Sequence, residues 1–256
     1  MLDKKEFPIL EFDTDPCGMI NADTFHQKKD VPSRCLITFF KEQIARKLEA
    51  GELREIGAFN SEMMRFPLYE TEHHGEKICL IQGFVGAPGM AALLEEIIAV
   101  GCDIFMVCGG AGIIRKDLAL GHLVVPDSAV RDEGTSYHYL PPAREVACNP
   151  HAVNVITKEL EERHLPYVRS KTWTTDAIYR ETRDKVALRL AEGCATVEME
   201  AAALFAVAQV RNVALGQILY SGDDLSGEEY DFGDWNKRAD VRENLVNLSM
   251  DILLKL

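Results

Sequence analysis

At 256 residues, nearly half of them hydrophobic and about a quarter charged, the chain is long enough for one large α/β domain or two small ones. Its formal net charge of −13 argues against nucleic acid or an anionic membrane surface as partner, because either needs a basic face. Phosphate is not excluded, since an acidic protein can still bind it with a few arginines aimed inward.

The seven cysteines are an odd number, widely spaced, with no C-x-x-C pair. Several sit inside apolar strands, where Cys behaves as a small hydrophobe. This pattern speaks for a reducing compartment and against a disulfide framework or a zinc site. Met1 to Glu6 is mostly charged and no apolar run follows, so no secretory signal is expected. The most apolar window, Ile97 to Gly112, is too short for a membrane span and contains Asp103. A soluble, cytoplasmic protein is the expectation.

In chain order, Met1 to Pro32 has no clear period and reads as an extended arm, ending by about residue 34. Cys35 to Phe40 is an apolar run of strand length, and Lys41 to Ala50 continues as an amphipathic helix. Met64 to Tyr69 and Lys77 to Gln82 read as strands on either side of the turn His73-His74-Gly75-Glu76. Two adjacent histidines at a turn read as solvated, with no acidic or Cys partner at ligand spacing in the sequence, so no metal is expected. Gly86-Ala87-Pro88-Gly89 opens a helix, Met90 to Val100. Such an entry lets backbone N–H groups approach an anion, and it equally describes a plain strand-to-helix turn.

Asp103 to Cys108 is the next buried strand, running into Gly109-Gly110, and Gly121 to Val130 is another. Arg131 to Pro142 is a loop rich in hydrogen-bonding groups, in which His138 reads as structural. Pro150 starts a helix to Arg163 at a favourable first-turn position. Tyr167 to Trp173 reads as a strand leading into Thr174-Thr175-Asp176. Ser226 to Trp235 is an acidic loop able to lie over a pocket, and Asn236 to Leu256 closes the chain as an amphipathic helix. There is no repeat, low-complexity tract or linker, so one domain over 1–256 is expected.

Thr196 to Leu225 is the stretch with most chemistry. Ala195-Thr196-Val197 is a short strand delivering Glu198, Met199 and Glu200; Ala201 to Val210 is a helix apolar on most sides; Val213 to Tyr220 is a strand delivering Asp223 and Asp224. Ligands of open α/β sheets collect outside the carboxyl ends of strands. An ionised Glu200 at the first turn of a helix offers two acceptor oxygens, which suits the vicinal hydroxyls of a ribose. An ordinary acidic helix start describes Glu200 equally well, and a solvated turn describes Asp223 and Asp224.

Glu198-Met199-Glu200-Ala201-Ala202 resembles the ribose-binding signature of the nucleoside phosphorylase family, which holds uridine phosphorylases, hexameric-type purine nucleoside phosphorylases and methylthioadenosine nucleosidases. Gly83 to Pro88, Val107 to Ile113, Arg131 to Tyr139 and Thr174 to Tyr179 are similar to further family segments in the same order, those around Gly134 to His138 being like uridine phosphorylase. The resemblance implies a three-layer α-β-α fold with a central twisted mixed sheet. It also implies phosphorolysis of a ribonucleoside, uridine or a purine nucleoside, to free base and ribose 1-phosphate, with phosphate as co-substrate, no cofactor, and a dimer or trimer of dimers. On it, Glu198, Met199 and Glu200 hold the ribose, and Asp223 protonates the leaving base. Gly109, Gly110, Thr174, Thr175, Ile178 and Arg183 line the base, and Gly86, Arg34 and Arg65 serve the phosphate.

The chain departs from the family's pattern in two places. The usual Gly-Asp-Pro-x-Arg turn is Thr38-Phe39-Phe40-Lys41-Glu42, and the usual arginine and hydroxyl of the later strand fall on Met106 and Gly109. With those phosphate ligands gone, a nucleosidase using water, or a nucleoside-binding protein without turnover, are the alternatives.

Overall fold

The computed structural model describes residues 2–15, 17–234 and 239–256. Ten strands form one mixed sheet: β1 (Arg34–Thr38), β2 (Arg54–Asn60), β3 (Arg65–His73), β4 (Glu76–Gln82), β5 (Ile104–Ile113), β6 (Leu123–Asp132), β7 (Glu145–Ala147), β8 (Tyr167–Thr175), β9 (Cys194–Glu198) and β10 (Ala214–Asp224). The order is β10-β6-β8-β9-β5-β1-β4-β3-β2, with β7 attached to β6 and β10 also paired to β5. That last pairing closes β5, β10, β6, β8 and β9 into a ring, and β1 to β4 extend from it as an open wing.

Parallel pairing holds β4-β1-β5-β10 together, and β6-β8-β9 likewise. The ring is sealed by antiparallel contacts of β6 with β10 and of β5 with β9. Strands buried on both faces read as continuous apolar runs. Thus Cys35, Leu36 and Ile37 of β1 and Phe105 to Cys108 of β5 are fully buried. The helices are α1 (Ala22–Phe25), α2 (Lys41–Glu49), α3 (Ala87–Val100), α4 (Pro150–Glu162), α5 (Arg183–Ala191), α6 (Ala201–Arg211) and α7 (Ala239–Leu253). α3 packs on α6, while α7 packs on β1, β5, α2 and α4. None of the described helices is long and apolar enough to cross a membrane.

The sequence expectations need several revisions. β2 was not anticipated, because REIGAFN lies at the sheet edge with only Phe59 buried and shows no clean alternation. α5 was also missed, although the Thr182 hydroxyl accepts from the Lys185 N–H as an N-cap should. Most other strands run longer than expected at their carboxyl ends, β5 to Ile113 and β10 to Asp224, because ring closure gives those ends partners. The N-terminal arm is not wholly extended: it carries a short turn of 3-10 helix (Pro8–Leu10) and α1. The expected C-terminal helix begins on Asn236, and the expected loop ends on Trp235; both lie outside the described residues, whose last helix starts at Ala239.

Candidate functional site

Helix α6 starts the site. Ala201 to Ala208 are all buried, so the helix is gripped on every side and its first turn is fixed in place. Asn212 takes the left-handed conformation at its end (φ 54°), a cap that asparagine tolerates. Glu198 ends β9 and turns back into the helix start. Its Oε2 accepts from the backbone N–H groups of Glu200 (2.7 Å) and Ala201 (2.6 Å), and its Oε1 accepts from the Thr174 hydroxyl (2.6 Å). The Thr174 oxygen in turn accepts from the Ala202 N–H (2.9 Å). Three of the roughly four acceptor positions of Glu198 are thus spent on holding the helix in place.

Glu200 differs. It is buried, at 7% exposure, and one oxygen accepts from the Gly86 N–H at 2.6 Å. Gly86 takes a positive φ of 100° at the entry to α3, a conformation glycine reaches without penalty. The Met199 backbone N–H also lies on the Glu200 carboxylate. Burial, reinforced by the negative charge of Glu198, lifts the Glu200 carboxyl well above the usual carboxylate range, and the Gly86 hydrogen bond only partly counters it. Glu198 is also lifted by burial, against the pull of its three donors, and the buried Glu133 adds to the rise.

Asp223 lies at the carboxyl end of β10, on the opposite side of β5 from β9. Gly112 pairs with Val197 on one side and Asp223 on the other. A Cβ on Gly112 would lie 2.5 Å from the Leu225 side chain, 3.1 Å from Val197 and 3.3 Å from Asp223 Oδ2, so glycine is required foremost by Leu225 and leaves room for the side chains of both neighbouring strands. The register of β10 shifts between Ser221 and Asp223, which aims Asp223 inward. Burial, and after it the charge of Asp224, raises the Asp223 carboxyl, while a hydrogen bond with Tyr230 pulls it back. Asp224 is used by its turn: its Oδ1 accepts from the Ser226 N–H at 2.6 Å, and its backbone pairs with Asp231.

The remaining expected residues separate into two groups. Thr174 and Thr175 are buried at the end of β8, Met199 is half-buried between the two glutamates, and Gly109 and Gly110 lie at the carboxyl half of β5. Ile178 is 52% exposed, and the Arg183 guanidinium donates to the Glu228 carbonyl, tying the start of α5 to the acidic loop. Arg34 lies at the opposite end of the sheet, donating from Nε to the Leu253 carbonyl at 3.2 Å, with Ile104 beside it in register. The structure therefore does not bring Arg34 to this site. Arg65 is at the correct end, at the start of β3, but it is exposed and ion-paired with Glu55.

Five residues were missed by sequence reasoning. The Phe39 ring lies over both Gly83 and Gly109, 2.7 Å and 3.0 Å from where Cβ atoms would stand. Arg242 on α7 brings a buried guanidinium toward this end of the sheet, donating to the Tyr220 hydroxyl (3.0 Å) and to Glu42 (2.7 Å). Tyr220 itself packs on Gly110. Glu181, just after a 3-10 turn (Ile178–Arg180), is pushed up to about 7 by burial and then by the charge of Asp223. Tyr230, from the acidic loop, is pushed up to about 12 by burial and by Asp223. Glu181 was the findable one, since it stands five residues past the Thr174-Thr175-Asp176 stretch. The others depend on contacts between distant segments.

Replacing Thr174 by valine, which keeps the shape, strands the Ala202 N–H and one oxygen of buried Glu198. An unfolding free energy lower by about 1–3 kcal/mol is expected from urea denaturation. A loss below about 0.5 kcal/mol would mean that the bridge carries nothing.

A family model described as the phosphorylase superfamily matches residues 33–256. A guanosine phosphorylase from Halorubrum lacusprofundi is 28% identical over 230 residues, covering 88% of this chain and 90% of its own. A uridine phosphorylase structure from Vibrio fischeri superposes with a TM-score of 0.74 at 20% identity, covering 90% of this chain and 95% of that one. An AMP nucleosidase structure from Bacteroides thetaiotaomicron superposes with a TM-score of 0.70 at 21% identity, covering 88% and 89%.

Proposed function

The chain belongs to the phosphorylase superfamily, and from that premise we propose that it cleaves the N-glycosidic bond of a purine ribonucleoside, guanosine foremost, with phosphate as nucleophile. The observation that carries the reading is Glu200: a buried carboxylate at the strand-to-helix turn, held only by backbone N–H groups, of Gly86 and Met199, and paired with no cation among the described residues. Two vicinal hydroxyls of a ribose donate to such a group, and Met199 packs against the sugar. Asp223, whose carboxyl burial raises above its usual range, gives its proton to the leaving base.

Base preference follows from Glu181. Pushed up to about 7, Glu181 ionises as pH rises past neutrality, and the ionised carboxylate only accepts, while guanine presents two adjacent donors, N1–H and the 2-amino group. Uracil offers one N–H between two carbonyl oxygens, so the same carboxylate repels its flanks. Similarity to a guanosine phosphorylase supports this choice. Assembly into a homo-oligomer belongs to the reading too: Met63, Met64 and Val85 are exposed at the site end beside Arg65, which would exchange its pairing with Glu55 for a neighbouring copy's phosphate.

Hydrolysis is the second reading, favoured by Phe39. Its ring occupies the space above Gly83 and Gly109, and among the described residues no Lys or Arg is bonded to Glu198, Glu200 or Asp223. A phosphate dianion brought among carboxylates needs cations to hold it.

The deciding experiment incubates the protein with guanosine, inosine, adenosine and uridine, with and without phosphate, and follows free base by chromatography. The expected result is guanine release that requires phosphate and yields ribose 1-phosphate, with uridine at least tenfold slower. Release indifferent to phosphate selects the hydrolytic reading. Binding without release from any substrate rejects both.

A further inference from the structure

At the far end of the sheet from Glu200, the turn between β3 and β4 presents two imidazoles to the last turns of α7. Consecutive strand residues point to opposite faces. His74, however, takes a left-handed conformation (φ 51°), uncommon for a residue with a Cβ, which swings its ring to the side of His73. Their ring centroids are 4.3 Å apart. Both Nε2 atoms converge on one carboxylate oxygen: Asp251 Oδ1 lies 2.6 Å from that of His73 and 3.0 Å from that of His74.

We propose that His73, His74 and Asp251 bind one divalent transition-metal ion, zinc by its chemistry, and that the ion clips the β3–β4 turn to α7. Two imidazole nitrogens and a carboxylate oxygen are a donor set zinc takes readily, with water in the fourth position. The three ligand atoms all lie within 4.8 Å of one another. Tetrahedral ligands at zinc bond lengths stand roughly 3.3 Å apart, so the rings need only small movements to admit the ion. His74 is largely exposed, which opens the fourth position to solvent, while His73 and Asp251 are mostly buried and hold still.

The far oxygen of Asp251 is held by Arg163 at 2.8 Å, and Arg163 also pairs with Glu159. That grip fixes the carboxylate plane and leaves Oδ1 as the ligand atom, as outer-shell partners do at metal sites. Two neutral imidazoles simply donating to Asp251 would give the same contacts without metal, and the titration below separates the two cases. The sequence expectation of solvated histidines lacked Asp251, which is 177 residues away from His74.

The whole chain, stripped with a chelator and dialysed, is titrated with zinc chloride by calorimetry and by thermal denaturation. One zinc per chain and a melting temperature that climbs with zinc concentration are expected. H74Q and D251N each weaken binding at least tenfold, and C17S, which removes the one exposed thiol, leaves it unchanged. Cobalt(II) provides the second readout: its visible d–d bands appear with the wild type and vanish with H74Q. His74 is exposed enough for H74Q to keep the zinc-free melting temperature, so folding does not confuse the result. Absence of both heat and thermal shift at micromolar zinc overturns the proposal. So does binding that survives H74Q and D251N, or that C17S abolishes.

Discussion

Glu200→Gln is expected to lower kcat/KM for guanosine by about 10²- to 10⁴-fold, and at the same time to raise the melting temperature at pH 8. The activity loss follows from the hydrogen bonds. Each bond from a ribose hydroxyl to a charged oxygen is worth about 1.5–3 kcal/mol, and a neutral amide offers one acceptor where the carboxylate offers two. The stability gain follows from the pKa. Glu200 is lifted above its unfolded value by burial and by Glu198, so the folded state favours the protonated form. Its contribution is complete below the unfolded pKa and is lost as pH rises through the folded one. Glutamine carries no such loss, so the variant's advantage grows from pH 6 to pH 9, on the order of 1–3 kcal/mol at the upper end. The same sign governs binding: ribose hydroxyls favour the ionised carboxylate, so nucleoside binding releases a proton and tightens as pH rises. Full activity of the Gln variant, or a melting temperature that falls at every pH, would refute the placement of Glu200.

How much of this was legible beforehand depends on where the information sits in the chain. The strand-helix-strand order of Cys194 to Asp224 was readable because apolar periodicity is local, and the Glu198–Glu200 signature rides on it. The direction of β9 was not readable. It meets β5 antiparallel only at Gly112 and Ile113, a pairing set by ring closure and not by its own five residues. Gly112 looked like part of one more glycine turn. The crowding that requires glycine there, Leu225 first and Val197 and Asp223 after it, exists only once both neighbouring strands are present. Similarly, the missing phosphate ligands were visible as absences at Phe39, Met106 and Gly109. That the Phe39 side chain lies in the vacated space, and that Arg242 arrives from α7, are matters of packing between segments far apart in sequence. Glu198 shows the limit within a motif: sequence pairs it with Glu200, but Glu198 accepts from the first backbone N–H groups of α6 while Glu200 reaches across to the Gly86 N–H.

Asp223→Asn is expected to slow guanosine cleavage by about 10²- to 10⁴-fold, the usual worth of a positioned general acid, while sparing a nitrophenyl riboside, whose leaving group departs without a proton. The contrast matters because Asp223 is surrounded by other carboxylates. Burial and the charge of Asp224 raise it, and Glu181 beside it is raised to about 7. A merely structural role for Asp223 would slow both substrates equally. In the wild type, kcat for guanosine falls as pH rises through the elevated pKa of Asp223, and the Asn variant loses that limb. Tyr230→Phe tests the same carboxyl from outside. Its hydrogen bond stabilises the ionised form, so removing it raises the pKa further and carries the falling limb to higher pH. Movement of the limb toward lower pH would show that Tyr230 acts elsewhere, and equal losses on guanosine and the nitrophenyl riboside would remove Asp223 from proton donation. Together with the Glu200 variant, the Asn variant separates binding from departure: on the proposed reading Glu200, at the start of α6, affects the sugar and Asp223, at the end of β10, affects only the leaving base.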